Sequence, residues 1–178
     1  MSWVVHKFGG SSLASADAYR HVGSLLRSLG NDRQAVVVSA MQGTTDALIE
    51  LAHAAAGEAS HSGPEWEAAF DSLRTRHLDC AEALRIPSSA RERLERSFAD
   101  LRHLLEGLAL LGSLPDEVLD LISGLGEQWS ARLLVGLFEQ AGEPATFVDA
   151  RDVIRIEHGE LGPVPLMDES RRALDSLF

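Results

Sequence analysis

Val4-Val5-His6-Lys7-Phe8-Gly9-Gly10-Ser11-Ser12-Leu13 is the stretch on which the reading of the fold turns. A short run rich in β-branched residues reaches a lysine, crosses two glycines and two hydroxyls, and then enters helix-like sequence. Strand, glycine turn, helix is one way for a chain to build an anion pocket. Glycine lets backbone N–H groups approach an anion without a Cβ in the way, and a helix start adds partial positive charge. Lys7 at the strand end then supplies a point charge to the same anion. An ordinary strand-to-helix turn with a surface lysine carries the same local pattern, so both readings stand at this point.

Outward from this stretch, residues 2–8 read as a buried strand. Residues 16–29 read as a helix with Val22, Leu25, Leu26 and Leu29 on one face, followed by a turn at Gly30-Asn31-Asp32. Gln34-Ala35-Val36-Val37-Val38-Ser39-Ala40 is a second strand, apolar without alternation at its centre. Continuous hydrophobicity predicts burial on both faces, as in a parallel sheet covered by helices, and the three elements form a right-handed βαβ unit. A further helix starts near Thr45 and carries Leu48, Leu51 and Ala52 to about Ala56.

The middle of the chain has a different character. Residues 64–112 contain no strand pattern but two amphipathic helical stretches. The first presents Trp66, Ala69, Phe70, Leu73, Ala81 and Leu84 and ends at Pro87. The second presents Leu94, Phe98, Leu101, Leu105, Leu108 and Leu111, and Ser89 with Glu92 has the spacing of a capping box at its start. Together they predict a helical hairpin whose faces are packing surfaces. Pro115 suits the first position of another helix, which carries Val118, Leu119 and Ile122, breaks at Gly124-Leu125-Gly126 and resumes over residues 127–140. Gly142 is a natural stop. Ala145-Thr146-Phe147-Val148-Asp149 predicts a third parallel strand and Val153-Ile154-Arg155-Ile156 a short fourth. A glycine- and proline-rich loop follows, and then a helix start over residues 170–178.

The composition narrows the classes of function. A chain of 178 residues, 45% hydrophobic and 24% charged, suffices for one domain with a sizeable core. A net charge of −11 argues against a nucleic-acid binder, and it requires that any anionic ligand be held by local lysines and amides. The single cysteine, Cys80, has no partner for an internal disulfide, which points to a reducing, cytoplasmic setting. No apolar run approaches the length that spans a membrane, and no export signal is present, so no membrane partner is expected. The seven histidines (His6, His21, His53, His61, His77, His103 and His158) form no helical pair and no cluster with cysteine, so no metal site is expected. The isolated position of Cys80 gives no reason for a reactive thiol.

Three segments together carry a family likeness. His6-Lys7-Phe8-Gly9-Gly10-Ser11-Ser12-Leu13, Val36-Val37-Val38-Ser39-Ala40-Met41-Gln42-Gly43-Thr44-Thr45-Asp46 and Gly124-Leu125-Gly126-Glu127-Gln128-Trp129-Ser130-Ala131-Arg132-Leu133 resemble, in order and spacing, the motifs of the aspartokinases of the amino-acid kinase superfamily. Asp149-Ala150-Arg151-Asp152 resembles a further strand end of that family, and the versions found here look most like the N-terminal kinase part of bifunctional aspartokinase–homoserine dehydrogenases. The resemblance implies an α/β fold, a three-layer α/β/α sandwich with a mostly parallel sheet, here incomplete and with the helical hairpin 64–112 as an insertion. It implies ATP-dependent phosphorylation of the side-chain carboxylate of L-aspartate, with Mg²⁺ accompanying ATP, in an enzyme expected to be homo-oligomeric when complete.

On the same resemblance Lys7 is the catalytic cation. Gly9, Gly10 and Ser11, with Lys7, surround the ATP phosphates, and Ser39, Thr45 and Glu127 hold aspartate, the carboxylate of Glu127 meeting the substrate ammonium. Read without the family, Ser39 and Thr45 are strand-end and N-cap residues and Glu127 is a helix-start cap. Trp66 and Trp129 are assigned to packing. The Gly-Arg-x-Gly-Ser-Asp segment of the family and its regulatory domains do not occur in these 178 residues. The chain is therefore expected to be the substrate-side part of the catalytic domain, without turnover by itself. Two rival readings are a non-catalytic folded module and a sister kinase acting on another acid. The Ser-Ala…Thr-Thr-Asp and Gly-Glu-x-Trp-Ser-Ala segments argue against the second.

Overall fold

The computed structural model of the chain describes residues 3–30, 33–58, 66–159 and 162–177. The expected turn at residues 31–32, the start of the hairpin at 64 and the end of the last helix at 178 lie outside the described residues. The chain divides into two compact units, residues 1–145 and 146–178.

In the first unit, β1 (Val4–Phe8) pairs in parallel with β2 (Gln34–Val38), with Lys7 opposite Val37 and Phe8 opposite Val38. A one-turn 3-10 helix (Gly10–Leu13) and α1 (Ala16–Ser28) make the crossover between them. Phe8, Val36 and Val38 pack on the core from one face of the pair. The opposite face is open: Val5 is 67% and Val37 53% exposed. The expectation of burial on both faces thus fails for this face. An uninterrupted apolar run reports that a strand suits cover on both sides, and no described residue covers the second side.

Helix α1 begins with Ser15, whose side chain accepts from the Ala18 N–H, so the first turn is capped. Its buried stripe is Tyr19, Val22, Gly23 and Leu26; Leu25 and Leu29 are exposed, correcting the expected face by part of a turn. Gly23 lets α6 approach closely, since a Cβ there would stand 2.9 Å from Leu137 Cδ2 and that side chain would have to shift. Helix α2 (Thr44–Ala55) buries Leu48, Leu51 and Ala52 as its periodicity predicts, and lies against α3, α4, α5 and α6.

Helices α3 (Trp66–Leu84) and α4 (Ser88–Leu111) pack against each other. Phe70, Leu73, Ala81 and Leu84 of α3 and Leu94, Phe98, Leu101, Leu105 and Leu108 of α4 are buried as predicted, whereas Leu111 is exposed at the helix end. The Ser89–Glu92 capping box does not form, because α4 starts two residues earlier, after Pro87 as N-cap, with no side-chain cap. Helices α5 (Asp116–Ser123) and α6 (Leu125–Gln140) are separated by Gly124 alone, so Leu125 and Gly126 are helical rather than part of a longer break. Trp129 of α6 is fully buried and stacks on Phe98 with ring centroids 4.1 Å apart. Its indole N–H donates to Ser97 Oγ at 2.8 Å, which gives the one polar atom of the ring a partner.

The second unit departs most from expectation. Residues 145–149 form no strand, and Asp149 caps the short helix α7 (Ala150–Val153) by accepting from the Arg151 N–H. Instead of a fourth parallel strand, β3 (Ile156–Gly159) pairs antiparallel with β4 (Gly162–Pro165), which falls within the expected loop. β-propensity marks residues that suit a strand; it does not supply the partner that makes one. Helix α8 (Met167–Asp175) starts before Ser170, whose buried hydroxyl accepts from the Arg155 N–H at 2.9 Å. No helix among the described residues is long and apolar enough to cross a membrane.

Candidate functional site

Parallel pairing brings the C-terminal ends of β1 and β2 to the same end of the pair, and the Ser39 N–H donates to the Phe8 carbonyl at 2.9 Å, extending the ladder by one residue. The two loops that leave the strands then lie side by side. A Cβ on Gly10 would stand 2.9 Å from the Ala40 carbonyl oxygen, so glycine at 10 is a requirement of loop-on-loop packing. Gly9 is different. Its backbone is extended (φ −79°, ψ 170°), and a Cβ there would meet nothing within 4 Å. No described neighbour demands glycine at 9, and the space in front of its backbone is open. Ser11 is exposed within the 3-10 turn, which closes through Ser12 N–H to the Gly9 carbonyl at 3.0 Å. The expected helix start after the glycines is thus a single 3-10 turn. Any anion here would meet individual N–H groups rather than the dipole of α1, which begins after Ser15.

The second loop turns into α2 through Gly43, whose φ of +75° lies in the left-handed region that glycine adopts without strain. The Thr44 N–H donates to the Met41 carbonyl at 2.9 Å. Gly43, not Thr45, is the N-cap; Thr45 is the second residue of α2 and half-buried. Ser39 is half-buried at the loop's entrance. Thr44, which the sequence did not single out, is fully buried, and its Oγ1 has no hydrogen-bond partner among the described residues.

The first turn of α6 closes on the same point. A Cβ on Gly126 would stand 2.7 Å from the Ala40 Cβ and 2.9 Å from Thr44 Cγ2. Glu127, one residue on, does not cap its own helix: Oε1 accepts from the Ala40 N–H at 3.3 Å. Its carboxylate is half-buried, and no cation pairs with it among the described residues. Ala40 is therefore where all three sequence motifs meet, with Gly10 against its carbonyl, Gly126 against its side chain and Glu127 on its N–H.

Lys7 lies one residue before the end of β1. It is exposed, on the sheet face that also exposes Val5 and Val37, and makes no ion pair among the described residues. Lys7, Ser39 and Thr45 border the meeting point along the chain without a side-chain hydrogen bond to it. Arg76 of α3 does reach it, donating from Nη2 to the Gln42 carbonyl at 2.8 Å. In sequence it is one arginine on the polar side of an amphipathic helix, and no local signal marks it. Among the described residues no three His, Cys, Asp or Glu side chains cluster as metal ligands.

Apart from Arg151, whose bond to Asp149 raises its pKa, the titratable groups with displaced pKa values belong to the core. Burial lowers His77 to about 4 and raises the Cys80 thiol to about 11, so that cysteine is a packed, protonated side chain at neutral pH. Burial also raises the Tyr19 phenol, which hydrogen bonds Ser130 Oγ at 2.7 Å.

The family model described as the amino acid kinase family matches residues 2–175. The chloroplastic bifunctional aspartokinase/homoserine dehydrogenase 1 of Arabidopsis thaliana is 29% identical over 178 residues, covering 99% of this chain and 19% of that protein. The lysine-sensitive aspartokinase 3 of Escherichia coli is 35% identical over 152 residues, or 85% of this chain and 32% of that protein. Among solved structures, Escherichia coli aspartokinase III in complex with aspartate and ADP superimposes with a TM-score of 0.82 at 27% identity. It covers 98% of this chain and 37% of that one. The chain thus spans about a fifth of the bifunctional relative and about a third of the monofunctional one.

Proposed function

The chain belongs to the amino acid kinase family, and from that premise we propose that it forms the aspartate-side part of an aspartate kinase, residues 1–178 being the N-terminal portion of the catalytic domain. The carrying observation is the meeting of three motifs at Ala40 beside a half-buried carboxylate, Glu127, that has no cation of its own among the described residues. A carboxylate left unpaired in that setting suits a substrate ammonium, since partial burial strengthens its pull on a cation that brings its own charge. The relatives named as aspartokinases, and the related structure holding aspartate and ADP, support L-aspartate as that substrate and ATP as the phosphoryl donor.

The chemistry asks little covalent work of the protein. At neutral pH the aspartate side chain is already ionised, so its oxygen attacks the γ-phosphorus without a general base. The new O–P bond forms as the bond to the β-phosphate bridging oxygen breaks, giving 4-phospho-L-aspartate and ADP. The barrier arises from bringing two anions together, and cations and oriented N–H groups lower it. In this reading Lys7 faces the phosphates and the open backbone at Gly9, Gly10 and Ser11 lies along them. Ser39, Thr45 and Glu127 hold aspartate. Mg²⁺ would enter on the ATP phosphates, because the described residues offer no acidic cluster to hold it. We read the Gly-Arg-x-Gly-Ser-Asp segment of the family, which does not occur in these 178 residues, as the source of the remaining nucleotide and substrate contacts, and the complete enzyme as a homo-oligomer.

Isothermal titration of the purified chain with L-aspartate tests the substrate side. Saturable heats that Glu127→Ala weakens at least tenfold are expected, and flat heats with wild type would leave only a folded, inert module. Aspartate-dependent ADP release is expected to be absent from the 178 residues and present in the complete kinase.

A further inference from the structure

We propose that Arg76 is a positioning residue: it fixes the 39–45 loop in the conformation that receives substrate, and so sets the affinity for L-aspartate. The ligand in this proposal rests on the aspartate reading above; the clamp itself does not. Among the described residues two side chains from other elements hydrogen bond to the backbone of this loop. Glu127 of α6 accepts from the Ala40 N–H at 3.3 Å, and Arg76 of α3 donates to the Gln42 carbonyl at 2.8 Å. The two grips are of opposite charge and fall two residues apart, one on a donor and the other on an acceptor. The loop's own backbone bonds run from its ends: Ser39 N–H to Phe8, Thr44 N–H to Met41 and Ala47 N–H to Gly43. Ala40, Met41 and Thr44 are buried, which leaves Gln42 and the left-handed Gly43 as its exposed part. Without an outside grip a glycine-containing turn of this kind has many accessible conformers.

Among the described residues Arg76 is not held by a surface ion pair. Asp71, one turn before it, is engaged by Arg102 at 2.8 Å, and Asp79, one turn after it, makes no ion pair with it. Arg76 as a residue is half-buried, its bond to the loop lies at the exposed edge, and its charge is within electrostatic reach of Cys80 and Tyr19. Its one hydrogen bond among the described residues is to the loop, a charge-assisted bond stronger than one between neutral groups. A guanidinium placed this way orders the backbone from which Ser39 and Thr45 project, without itself needing to touch substrate.

The test uses Arg76→Met, which keeps helix propensity and bulk, and Arg76→Lys, which keeps one charged donor. Amide hydrogen exchange and L-aspartate titration are both followed by NMR on the whole chain. Arg76→Met is expected to speed exchange at the Thr44 amide at least fivefold and to weaken L-aspartate five- to tenfold, with the melting temperature within about 2 °C of wild type; Arg76→Lys should recover part of both. Unchanged Thr44 exchange overturns the clamp, and a loosened loop with unchanged aspartate affinity overturns its link to substrate. A wild-type chain that gives no aspartate response overturns the substrate reading instead. In that case faster Thr44 exchange in Arg76→Met still supports the clamp, and unchanged exchange overturns both.

Discussion

Gly9 and Gly10 are neighbours in sequence and differ in cause. Gly10 lies against the Ala40 carbonyl, where an added Cβ would be 2.9 Å from a backbone atom that cannot swing aside. Gly10→Ala is therefore expected to cost roughly 1–3 kcal/mol of stability, the range of an overpacked site, as a lowered urea midpoint. Gly9→Ala meets no atom within 4 Å and is expected to leave that midpoint unchanged. If the open space before Gly9 receives ATP phosphates, the same substitution raises the KM for ATP in the complete kinase. A stability loss in Gly9→Ala equal to that of Gly10→Ala would assign both glycines to folding alone. Lys7, exposed and unpaired among the described residues, gives the complementary case. Lys7→Ala should leave the melting temperature within about 2 °C, yet lower kcat of the complete kinase by about a thousandfold, or ~4 kcal/mol. Near-normal turnover would remove it from the catalytic role. The sequence alone could flag these residues as a set. It could not separate the packing glycine from the open one, because that difference lies in what stands across from each Cβ.

At the scale of elements, helix positions were legible wherever a face repeats every three or four residues, as on α2, α3 and α4. Most predicted core residues there are buried, and the exposed ones, Ala69 and Leu111, lie near helix ends. Caps were less legible. The α4 capping box and the Thr45 N-cap both fail by two residues, because Pro87 and the left-handed Gly43 set where the helices begin. Strands were least legible, since residues 145–149 have strand-like side chains and no ladder, and a ladder depends on a partner remote in sequence. The sharpest consequence of helix packing is His77. Fully buried on α3, its ring is 5.0 Å from Trp129 and 5.6 Å from Phe98, centroid to centroid. Its Nδ1–H donates to the Leu73 carbonyl, which leaves Nε2 buried without a partner among the described residues. Burial holds the folded-state pKa near 4 against 6.5 for the free side chain, and the nearby charge of Arg76 acts in the same direction. Below pH 6.5 the unfolded chain therefore takes up a proton that the folded one refuses. Stability is full above pH 6.5, falls as the pH drops toward 4 and levels beneath it, a loss of about 3 kcal/mol from this group. His77→Leu is expected to flatten that limb of a melting-temperature profile against pH, and an unaltered slope would place the acid sensitivity elsewhere.

For the whole molecule, the division into residues 1–145 and 146–178 carries a testable asymmetry. Every large side chain that is fully buried, from Leu13 through Trp129 to Leu133, belongs to the first unit, as does every residue assigned to the candidate site. The second unit buries Val153 and Ser170 and is held by the short β3–β4 pairing and by the Ser170 hydroxyl on Arg155. Hydrophobic burial is the dominant favourable term in folding and is concentrated in the first unit, so removal of residues 146–178 should leave a cooperative transition. Its melting temperature is expected to stay within about 4 °C of the intact chain, equivalent to roughly 1 kcal/mol at this size. If L-aspartate binds the intact chain, the shortened one should bind it with the same affinity, because Ser39, Thr45 and Glu127 and their loop supports are all retained. Loss of cooperative unfolding in the shortened chain would mean that the second unit completes the core. Retained folding with lost aspartate binding would mean instead that residues 146–178 contribute to the site, a role their sequence and structure do not announce.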